Sequence, residues 1–400
     1  MGKFLKLIAV NLAVLLACIL VLNLFVSIYL DIEDWVTDEF PSYDERIDLP
    51  NFVNKEWSNT IFTDTKRLST RYEPFVAWSR DEYDGEAVHV NAQGDRVHPL
   101  FTDDPVGHIR FFGGSTTWGT GVDDAHSIPA LFNALNPDWE VHNHGESGFI
   151  SRQELARLIG LVNSGEPTDL VVFYDGYNEV RNLCRNDVEL YGHGRQKRLE
   201  TLVQPPTFTV RTLFSAFLQL AEDNARRSGK HKYPPSRCMI DPEYGERIAD
   251  MLTANWKVAR EVARLGGADF VAILQPVAAI GNPNLSHLVD DAFSLDDYAT
   301  PAGLEKLSGQ KLGKGIDHRI VYPRIQRRIA EEELDFVLDL TDAYDGDEFI
   351  YMGPSHVTGN GNERIAKQLQ AFVGERLRKQ AESRRTGSVR HVSGQQGPLW

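Results

Sequence analysis

The segment HIRFFGGSTTWG, residues 108–119, joins a short apolar strand to a glycine-rich turn that carries Ser115. Glycine-rich turns after a first strand often bind phosphate. A Walker loop needs a lysine after its second glycine, but Gly119 is followed by Thr120. The turn also lacks the G-x-G-x-x-G spacing of a dinucleotide-binding fingerprint. Both phosphate-binding interpretations fail, which leaves a serine at a strand tip, either a helix cap or a nucleophile.

Four more apolar segments follow this strand, and helical patterns separate them. The predicted strands are His108–Phe112, Trp139–Asn143, Leu170–Tyr174, Phe270–Leu274 and Phe336–Leu340. The predicted helices are Ile128–Leu135, Gln153–Val162, Glu246–Leu265, Ile316–Glu333 and Gly361–Arg378. Short apolar strands that alternate with helices indicate a parallel sheet covered on both faces. We therefore predict an α/β fold, a three-layer flavodoxin-like sandwich around a mainly parallel five-stranded sheet.

Polar turns rich in glycine and asparagine follow the second and third predicted strands. They read NHGESGF at residues 143–149 and YDGYNE at 174–179, and GPSHVTGNGN at 353–362 precedes the last helix. Each turn alone is compatible with ordinary turn chemistry. In parallel sheets, however, functional residues gather at the carboxyl ends of the strands. A serine, a glycine, an asparagine and a histidine in this order therefore indicate a common site.

The four segments together resemble the SGNH (GDSL-like) hydrolase family, whose blocks are Gly-x-Ser, Asn-x-x-x-x-Gly, Gly-x-Asn and Asp-x-x-His. The matching residues here are Gly113 to Ser115, Asn143 to Gly148, Gly176 to Asn178, and His356. The resemblance covers about residues 105–375 apart from two inserts, and it implies a serine ester hydrolase without a cofactor. Ser115 would be the nucleophile and His356 its base. The backbone N–H groups of Ser115 and Gly148 and the Asn178 amide would stabilise the oxyanion.

One position departs from the family pattern. The family places an acid three residues before the histidine, and this chain has Gly353 there. That acid holds the imidazole in the useful tautomer, and its loss costs a serine protease about 10⁴ in rate. Three explanations stay open: a backbone carbonyl orients the ring in a Ser–His dyad, another acid takes over, or the site is weakened or inactive. We favour the dyad over a substitute acid, for which the nearby candidates are Asp342, Asp345 and Asp347.

The other polar residues near these turns suggest no further chemistry. His126, His142 and His144 lack the spacing of a metal motif such as H-E-x-x-H, so we predict no metal site. Asp175 and Glu179 flank Asn178, and the simpler interpretation makes them solvated residues at the rim of the pocket.

Residues 7–30 read LIAVNLAVLLACILVLNLFVSIYL, a stretch of 24 residues without a charge. At about 1.5 Å per residue this helix spans roughly 36 Å, enough to cross a hydrocarbon core of about 30 Å. Basic residues precede it and acidic residues follow it, namely Lys3, Lys6, Asp31, Glu33, Asp34, Asp38 and Glu39. The positive-inside rule then predicts a single-pass protein with a cytoplasmic N-terminus and an extracytoplasmic domain, periplasmic or at the cell surface.

Two ways of processing this helix are compatible with the sequence. The apolar run exceeds the roughly 7–15 residues of a cleavable signal peptide, which favours an uncleaved signal anchor. The alternative is a lipoprotein signal, because Leu15-Leu16-Ala17-Cys18 resembles a lipobox. The residues after Cys18 remain apolar, where a lipoprotein normally turns polar. Both interpretations export the same domain, and its two cysteines, Cys184 and Cys238, are then either a disulfide or two separate buried thiols.

The chain thus divides into a membrane helix, one large domain and additions to it. We predict a cytoplasmic stub (1–6), a transmembrane anchor (7–30), an N-terminal collar (31–104) and a hydrolase domain (105–378). Inserts at about 181–245 and 277–315 interrupt that domain, and a disordered tail covers 379–400. Long inserts of this kind often form lids or binding surfaces.

Composition excludes several classes of protein. The chain has 42 Lys+Arg against 57 Asp+Glu, a net charge of −15, which excludes a basic nucleic-acid-binding surface and weighs against polyanionic substrates. Its 42% hydrophobic and 25% charged residues are typical of globular proteins. Three cysteines are too few for a disulfide-rich scaffold.

The expected function is that of a membrane-anchored, extracytoplasmic ester hydrolase that removes acyl or acetyl groups from an envelope or surface glycan or lipid. Its expected partners are an ester of a small molecule or glycan, and the bilayer through residues 7–30. The alternatives are an acyltransferase with the same residues and a non-catalytic glycan-binding or assembly protein with a degenerate site. The oligomeric state does not follow from the sequence.

Overall fold

The computed structural model describes residues 2–39, 44–100, 102, 104–203, 214–227, 235–288 and 314–393. The chain divides into two compact units. The first comprises Met1–Tyr43 and Arg195–Pro234, and the second comprises Asp44–Gly194 and Pro235–Trp400. The four predicted catalytic blocks all belong to the second unit, which we call the α/β unit.

The described helices and strands follow in chain order. The helices are α1 (Gly2–Glu39), α2 (Lys55–Arg67), α3 (Ser115–Trp118), α4 (Ile128–Leu135), α5 (Ser151–Ser164), α6 (Tyr177–Leu183), α7 (Gln196–Val203), α8 (Ser215–Arg227), α9 (Arg237–Ile240), α10 (Pro242–Leu265), α11 (Lys314–Glu331) and α12 (Gly359–Ser393). The strands are β1 (Thr70–Arg71), β2 (Ser79–Arg80), β3 (Tyr83–Asp84), β4 (His89–Val90), β5 (His108–Gly113), β6 (Glu140–Asn143), β7 (Leu170–Asp175), β8 (Asp269–Leu274) and β9 (Val337–Asp339).

The central sheet has the order β6-β5-β7-β8-β9, and all of its pairings are parallel. When the five strands are numbered by chain order, this is 2-1-3-4-5, the flavodoxin-like order. The second strand is added on one side of β5 and the later strands on its other side. Gly113 lies opposite Tyr174, so the tips of β5 and β7 end side by side. The predicted α/β fold and its five strands are confirmed.

Apolar side chains on the two faces of the sheet pack against different helices. On one face Phe112, Val171 and Phe173 join residues of α5, α6, α10 and α11 in one core. On the other face Phe111 and Val172 join residues of α4 and α12 in a second core. Because successive strand residues point to opposite faces, the fully apolar strands bury both sides. Each fully buried side chain of this type contributes about 1.5–3 kcal/mol.

Residues 44–100 belong to the α/β unit, and one of their contacts with the sheet and the loops around it is a buried arginine. Arg96 bridges Val90 and, across the sheet edge, Asn143 at the end of β6. Its guanidinium donates to Asp124 at 2.8 Å and to the backbone oxygens of Gly119 at 2.6 Å and Val122 at 2.7 Å. Arg96 therefore supports the loop that follows α3, and α3 is the short helix that begins at Ser115. Sequence patterns do not indicate this role of Arg96.

The first unit contains the predicted membrane helix. Helix α1 runs from Gly2 to Glu39, and its Gly2–Leu30 part, with a mean hydropathy of 2.7, is long and apolar enough to cross a membrane. The helix passes the predicted collar boundary at residue 31 because no glycine or proline occurs between Gly2 and Pro41. Within this unit the Ala216 N–H of α8 donates to the Asn23 side chain at 3.1 Å.

Two predicted boundaries differ from the structure. The tail, predicted to be disordered from residue 379, is helical as far as Ser393, where α12 ends. Ala381 is buried in the core, and Arg384 donates to the Val106 carbonyl at 2.6 Å, so the tail's first part has contacts that composition does not reveal. Of the insert predicted at 277–315, residues 289–313 lie outside the described part of the chain.

Cys184 and Cys238 form a disulfide, the first of the two alternatives that the sequence left open. The bond joins the residue that caps α6 to the short helix α9, across 54 residues of sequence. Helix α6 also carries Asn178. The disulfide therefore fixes the end of a helix that contributes to the candidate site.

Replacing Cys184 and Cys238 by serine is expected to lower the free energy of unfolding by about 4 kcal/mol, because a cross-link over this separation removes chain entropy from the unfolded state. Urea unfolding of the full chain in detergent measures the change. The matched control is Cys18→Ser, which replaces an exposed free cysteine and should leave the midpoint unchanged. Equal midpoints for the double variant and the control would contradict this prediction.

Candidate active site

Ser115 and His356 lie 241 residues apart in sequence and meet at the carboxyl end of the sheet. The Ser115 Oγ is 2.7 Å from the His356 Nε2. Strand β5 ends at Gly113 and α3 begins at Ser115, so the side chain stands at the strand tip, half-buried. A hydroxyl hydrogen-bonded to an imidazole is the arrangement that activates a serine as a nucleophile.

The loop that carries His356 is tied to the helix that carries Ser115. The Thr116 hydroxyl donates to the Ser355 carbonyl at 3.3 Å. The Met352 N–H donates to the His356 carbonyl at 2.9 Å, closing the loop on itself. These bonds fix the backbone of the loop that carries His356, and they thereby help to place its imidazole beside the Ser115 hydroxyl.

Asn178 lies against the turn that precedes Ser115. A Cβ atom on Gly114 would collide with the Asn178 side-chain amide, so this close approach requires glycine at position 114. The amide donates to the Phe149 carbonyl at 2.8 Å. An amide nitrogen has two hydrogens, and no described residue accepts the second one.

Gly148 lies in the turn after β6 and adopts a φ of +83°, a conformation that favours glycine. Two side chains hold the turn in place: Trp78 donates to the Ser147 carbonyl at 3.2 Å, and Asn182 donates to the Gly148 carbonyl at 3.4 Å. Ser115 is the first residue of its helix, where an N–H has no partner within the helix. Within the described part of the chain, neither the Ser115 nor the Gly148 N–H has an acceptor.

No carboxylate among the described residues hydrogen-bonds to His356. The space beside the Gly353 Cα is open, since a Cβ there would meet no atom of the described residues within 4 Å. The candidate substitute acids point elsewhere: Asp345 accepts from the Asn282 N–H at 2.5 Å, and Asp342 and Asp347 are exposed. Among the described residues this arrangement gives no support to a substitute acid, and the Ser–His dyad stays a prediction.

The surroundings of His356 are positive rather than negative. Burial, together with the smaller effect of the charges of Arg46 and Arg181, lowers the pKa of His356 to about 4. Arg46 is fixed by Asp44, with Nε–Oδ1 and Nη2–Oδ2 distances of 2.8 Å each. The imidazole is therefore neutral at pH 7, as a general base must be. Sequence patterns do not link residues 46 and 181 to residue 356.

The carboxylates beside Asn178 are buried, so the prediction of solvated rim residues is wrong. Asp175 accepts from the Trp256 indole N–H at 2.7 Å, and Glu179 accepts from the N–H groups of Ser151 at 2.6 Å and Gly176 at 2.9 Å. Burial raises the pKa of both carboxyls, and that of neighbouring Glu154. Their hydrogen bonds fix the start of α6, and with it the position of Asn178.

His108, Glu140 and His142 form a polar cluster at the opposite end of the sheet from Ser115. The His108 Nδ1 is 3.4 Å from the His142 Nε2 and 3.3 Å from a Glu140 oxygen. These three side chains could hold a metal ion, since zinc binds such ligands. Spacing along one segment did not reveal the cluster because strand pairing places His108 opposite Glu140. The imidazole rings lie 22° from parallel, and a hydrogen bond between them explains the contact without a metal.

No protein-family model and no curated protein matches the chain. Solved structures similar to it include an alpha/beta hydrolase enzyme from the metagenome of Lake Arreo, with 16% identity, a TM-score of 0.34 and coverage of 68% of this chain and 96% of that one. A GDSL-like lipase from Bacteroides thetaiotaomicron has 13% identity, a TM-score of 0.33 and coverage of 70% and 92%.

A carbohydrate acetylesterase family member from Sinorhizobium meliloti has 14% identity, a TM-score of 0.32 and coverage of 67% and 99%. The structures similar to this chain thus include lipolytic hydrolases of the GDSL type and acetylesterases. At these identities and TM-scores, the case for a function of this chain rests on the geometry of its own site.

Proposed function

We propose that the protein is a serine ester hydrolase of the SGNH type in which Ser115 and His356 act as a dyad. The observation that carries this proposal is the 2.7 Å contact between the Ser115 Oγ and the His356 Nε2. Attack by Ser115 on an ester carbonyl transfers the hydroxyl proton to Nε2 and forms a tetrahedral oxyanion. The imidazole then gives that proton to the departing alcohol, and water releases the acyl group by the same steps.

The proposed oxyanion donors come from three separate segments: the backbone N–H groups of Ser115 and Gly148 and the free amide hydrogen of Asn178. Fixed donors of this kind cost no reorganisation when the charge develops, and the loss of one typically costs about 10²–10³ in turnover. Two observations support these roles. All three groups lie at Ser115 or at the turns beside it, and among the described residues no acceptor binds either N–H group or the second amide hydrogen of Asn178.

We further propose that residues 7–30 anchor the protein in a membrane with its α/β unit outside the cytoplasm. The support is the length and hydropathy of Gly2–Leu30, with basic residues before the apolar run and acidic residues after it. An exported, anchored esterase has acyl groups on envelope or surface glycans and lipids within reach. Removal of an acetyl or acyl group from such a molecule is the function that we propose.

Two other functions use the same site. An acyltransferase differs only in that a sugar hydroxyl, rather than water, accepts the acyl group. A non-catalytic glycan-binding protein is favoured by one observation, the absence of an acid beside His356, where the family has one and this chain has Gly353.

Turnover of p-nitrophenyl acetate by the full-length protein in detergent, compared with Ser115→Ala, tests the proposal. The wild-type protein should release nitrophenol and the variant should not. Equal rates would favour the binding protein. Addition of an oligosaccharide acceptor, with acetylated sugar measured by mass spectrometry, distinguishes a transferase from a hydrolase.

The pH dependence of kcat/KM is expected to show an acidic limb near pH 4 rather than near the ordinary histidine value. Below the pKa of about 4 the imidazole of His356 is protonated and cannot accept the serine proton; above it the neutral base is present. The rate should therefore rise through about pH 4 and be flat from about pH 5 to neutrality. A midpoint near pH 6.5 in p-nitrophenyl acetate hydrolysis would contradict the lowered pKa of His356.

A further inference from the structure

Arg181 is an exposed cation on the helix that carries Asn178, whose amide we propose as an oxyanion donor. It lies on α6 three residues after Asn178, and residues three apart occupy neighbouring positions on one side of a helix. Asn178 and Asn182 of the same helix donate to the Phe149 and Gly148 carbonyls, so this side of α6 borders the oxyanion turn. Among the described residues none pairs with the Arg181 guanidinium, which is exposed to solvent.

Arg46 is a second guanidinium near the dyad, and it comes from a different part of the chain. Two bonds to Asp44 fix it, and its charged group lies 4.4 Å from the centre of the Phe62 ring. The charges of Arg46 and Arg181 both act on His356, and no carboxylate is among the charges that shift its pKa. The field at the dyad is therefore positive, although the chain as a whole carries −15.

A positive field has a chemical consequence for this reaction. When Ser115 attacks, its proton moves to His356 and forms an imidazolium. In a Ser-His-Asp triad the acid stabilises that cation, but position 353 is glycine here. The guanidinium groups of Arg46 and Arg181 disfavour that imidazolium, and among the described residues only Arg46 has a negative charge beside it, that of Asp44. A substrate that carries such a charge would supply what the protein lacks.

We propose that Arg181 is a specificity-determining residue that binds an anionic oxygen group, a carboxylate or a phosphate, which the substrate carries beside its ester. The inference rests on the proposed ester-hydrolase function. A guanidinium presents paired N–H groups that match both anions, and Arg181 has them free while those of Arg46 are committed to Asp44. The substrate class is then an acylated acidic sugar or sugar phosphate, or a comparable acidic alcohol.

Calorimetry on the full-length Ser115→Ala protein in detergent tests this inference without turnover. Three probes share one acetylated ring: O-acetylated methyl glucoside, its uronic-acid counterpart and its sugar-phosphate counterpart. We expect at least one anionic probe to bind about tenfold or more tightly than the neutral one, as expected for a charge-assisted pair. The tighter of the two identifies the anion that the site accepts.

The ratio of the affinities for the anionic and the neutral probe, measured in three further variants, shows whether Arg181 causes the preference. In Ser115→Ala with Arg181→Gln the charged and neutral probes should bind within about twofold of each other, whereas Arg181→Lys should keep most of the preference. Arg264→Gln removes a charge from the end of α10, at the amino end of the sheet, and should leave the ratio unchanged. In Arg181→Gln alone, the acidic limb of the pH profile should also move to higher pH, which a merely structural role would not cause.

Equal affinity for charged and neutral probes, no binding of any probe, or the same preference in Arg181→Gln would each overturn the inference. The proposed function fails separately. A protein that hydrolyses p-nitrophenyl acetate but has no preference for anions refutes the inference alone. A protein that prefers the anionic probes through Arg181 but hydrolyses no ester refutes the hydrolase proposal alone.

Discussion

Replacing His356 by alanine is expected to lower the kcat for p-nitrophenyl acetate by about 10⁴-fold or more. The Ser115 hydroxyl has the His356 Nε2 as its hydrogen-bond partner at 2.7 Å, and without that base a serine hydroxyl is a poor nucleophile at neutral pH. The KM should change little, because the imidazole acts mainly in proton transfer. Steady-state kinetics with the full-length protein measure both constants.

The dyad makes a sharper prediction for the double variant. Because the two side chains act as one unit, Ser115→Ala with His356→Ala should lose no more than either single variant. His108→Ala is the matched control, since His108 lies at the amino end of β5, away from Ser115, and should keep wild-type turnover. Losses that multiply in the double variant, or a His356→Ala protein with wild-type kcat, would contradict the dyad.

Gly353→Asp is expected to raise kcat/KM by about tenfold or more. The SGNH family has an acid at this position, and in serine proteases the equivalent acid contributes about 10⁴. The described part of the chain leaves room for it, because a Cβ at residue 353 would meet none of its atoms within 4 Å. A carboxylate there would offset Arg46 and Arg181, raise the pKa of His356 above about 4 and move the acidic limb of the pH profile upward.

Gly353→Asn is the control for this gain, since it has nearly the same shape and no charge. If the Asp and Asn variants have the same rate and the same pH profile, then the missing acid does not limit the enzyme. That result would instead favour a ring orientation fixed by the backbone of the 352–356 loop, whose Met352 N–H already bonds to the His356 carbonyl.

The core of the fold could be predicted because its signals are local. Helix Ile128–Leu135 matches the prediction to the residue, since Ser127 caps its start through the Ala130 N–H and Pro129 suits its first turn. The three central strands, β5, β7 and β8, are equally visible, as both of their faces are buried. The end of α12 was not predictable, because the contact of Arg384 with Val106 joins residues 278 apart.

The candidate site was predictable only through its resemblance to a family. No spacing rule relates Ser115 to His356, which meet across 241 residues. Arg181 carries no sequence signal, and the net charge of −15 pointed away from anionic substrates, since total charge does not describe a local field.

Asp175 and Glu179 were misassigned for a related reason. Charged side chains are seldom fully buried, so an Asp or Glu in a sequence is normally predicted to be exposed to solvent. The partners that make burial tolerable for these two carboxyls, the Trp256 indole N–H and the Ser151 N–H, come from distant helices. Such pairings appear only when the chain is folded.

Labelling with a fluorophosphonate, followed by peptide mass spectrometry, is the direct test of Ser115 as the nucleophile. Such a reagent forms a covalent bond with an activated serine, which here is the one bonded to the His356 Nε2. We expect one adduct, on Ser115, that is absent from Ser115→Ala, strongly reduced in His356→Ala and lost when the protein is unfolded. An adduct on another residue, or labelling that persists in folded Ser115→Ala protein, would contradict it.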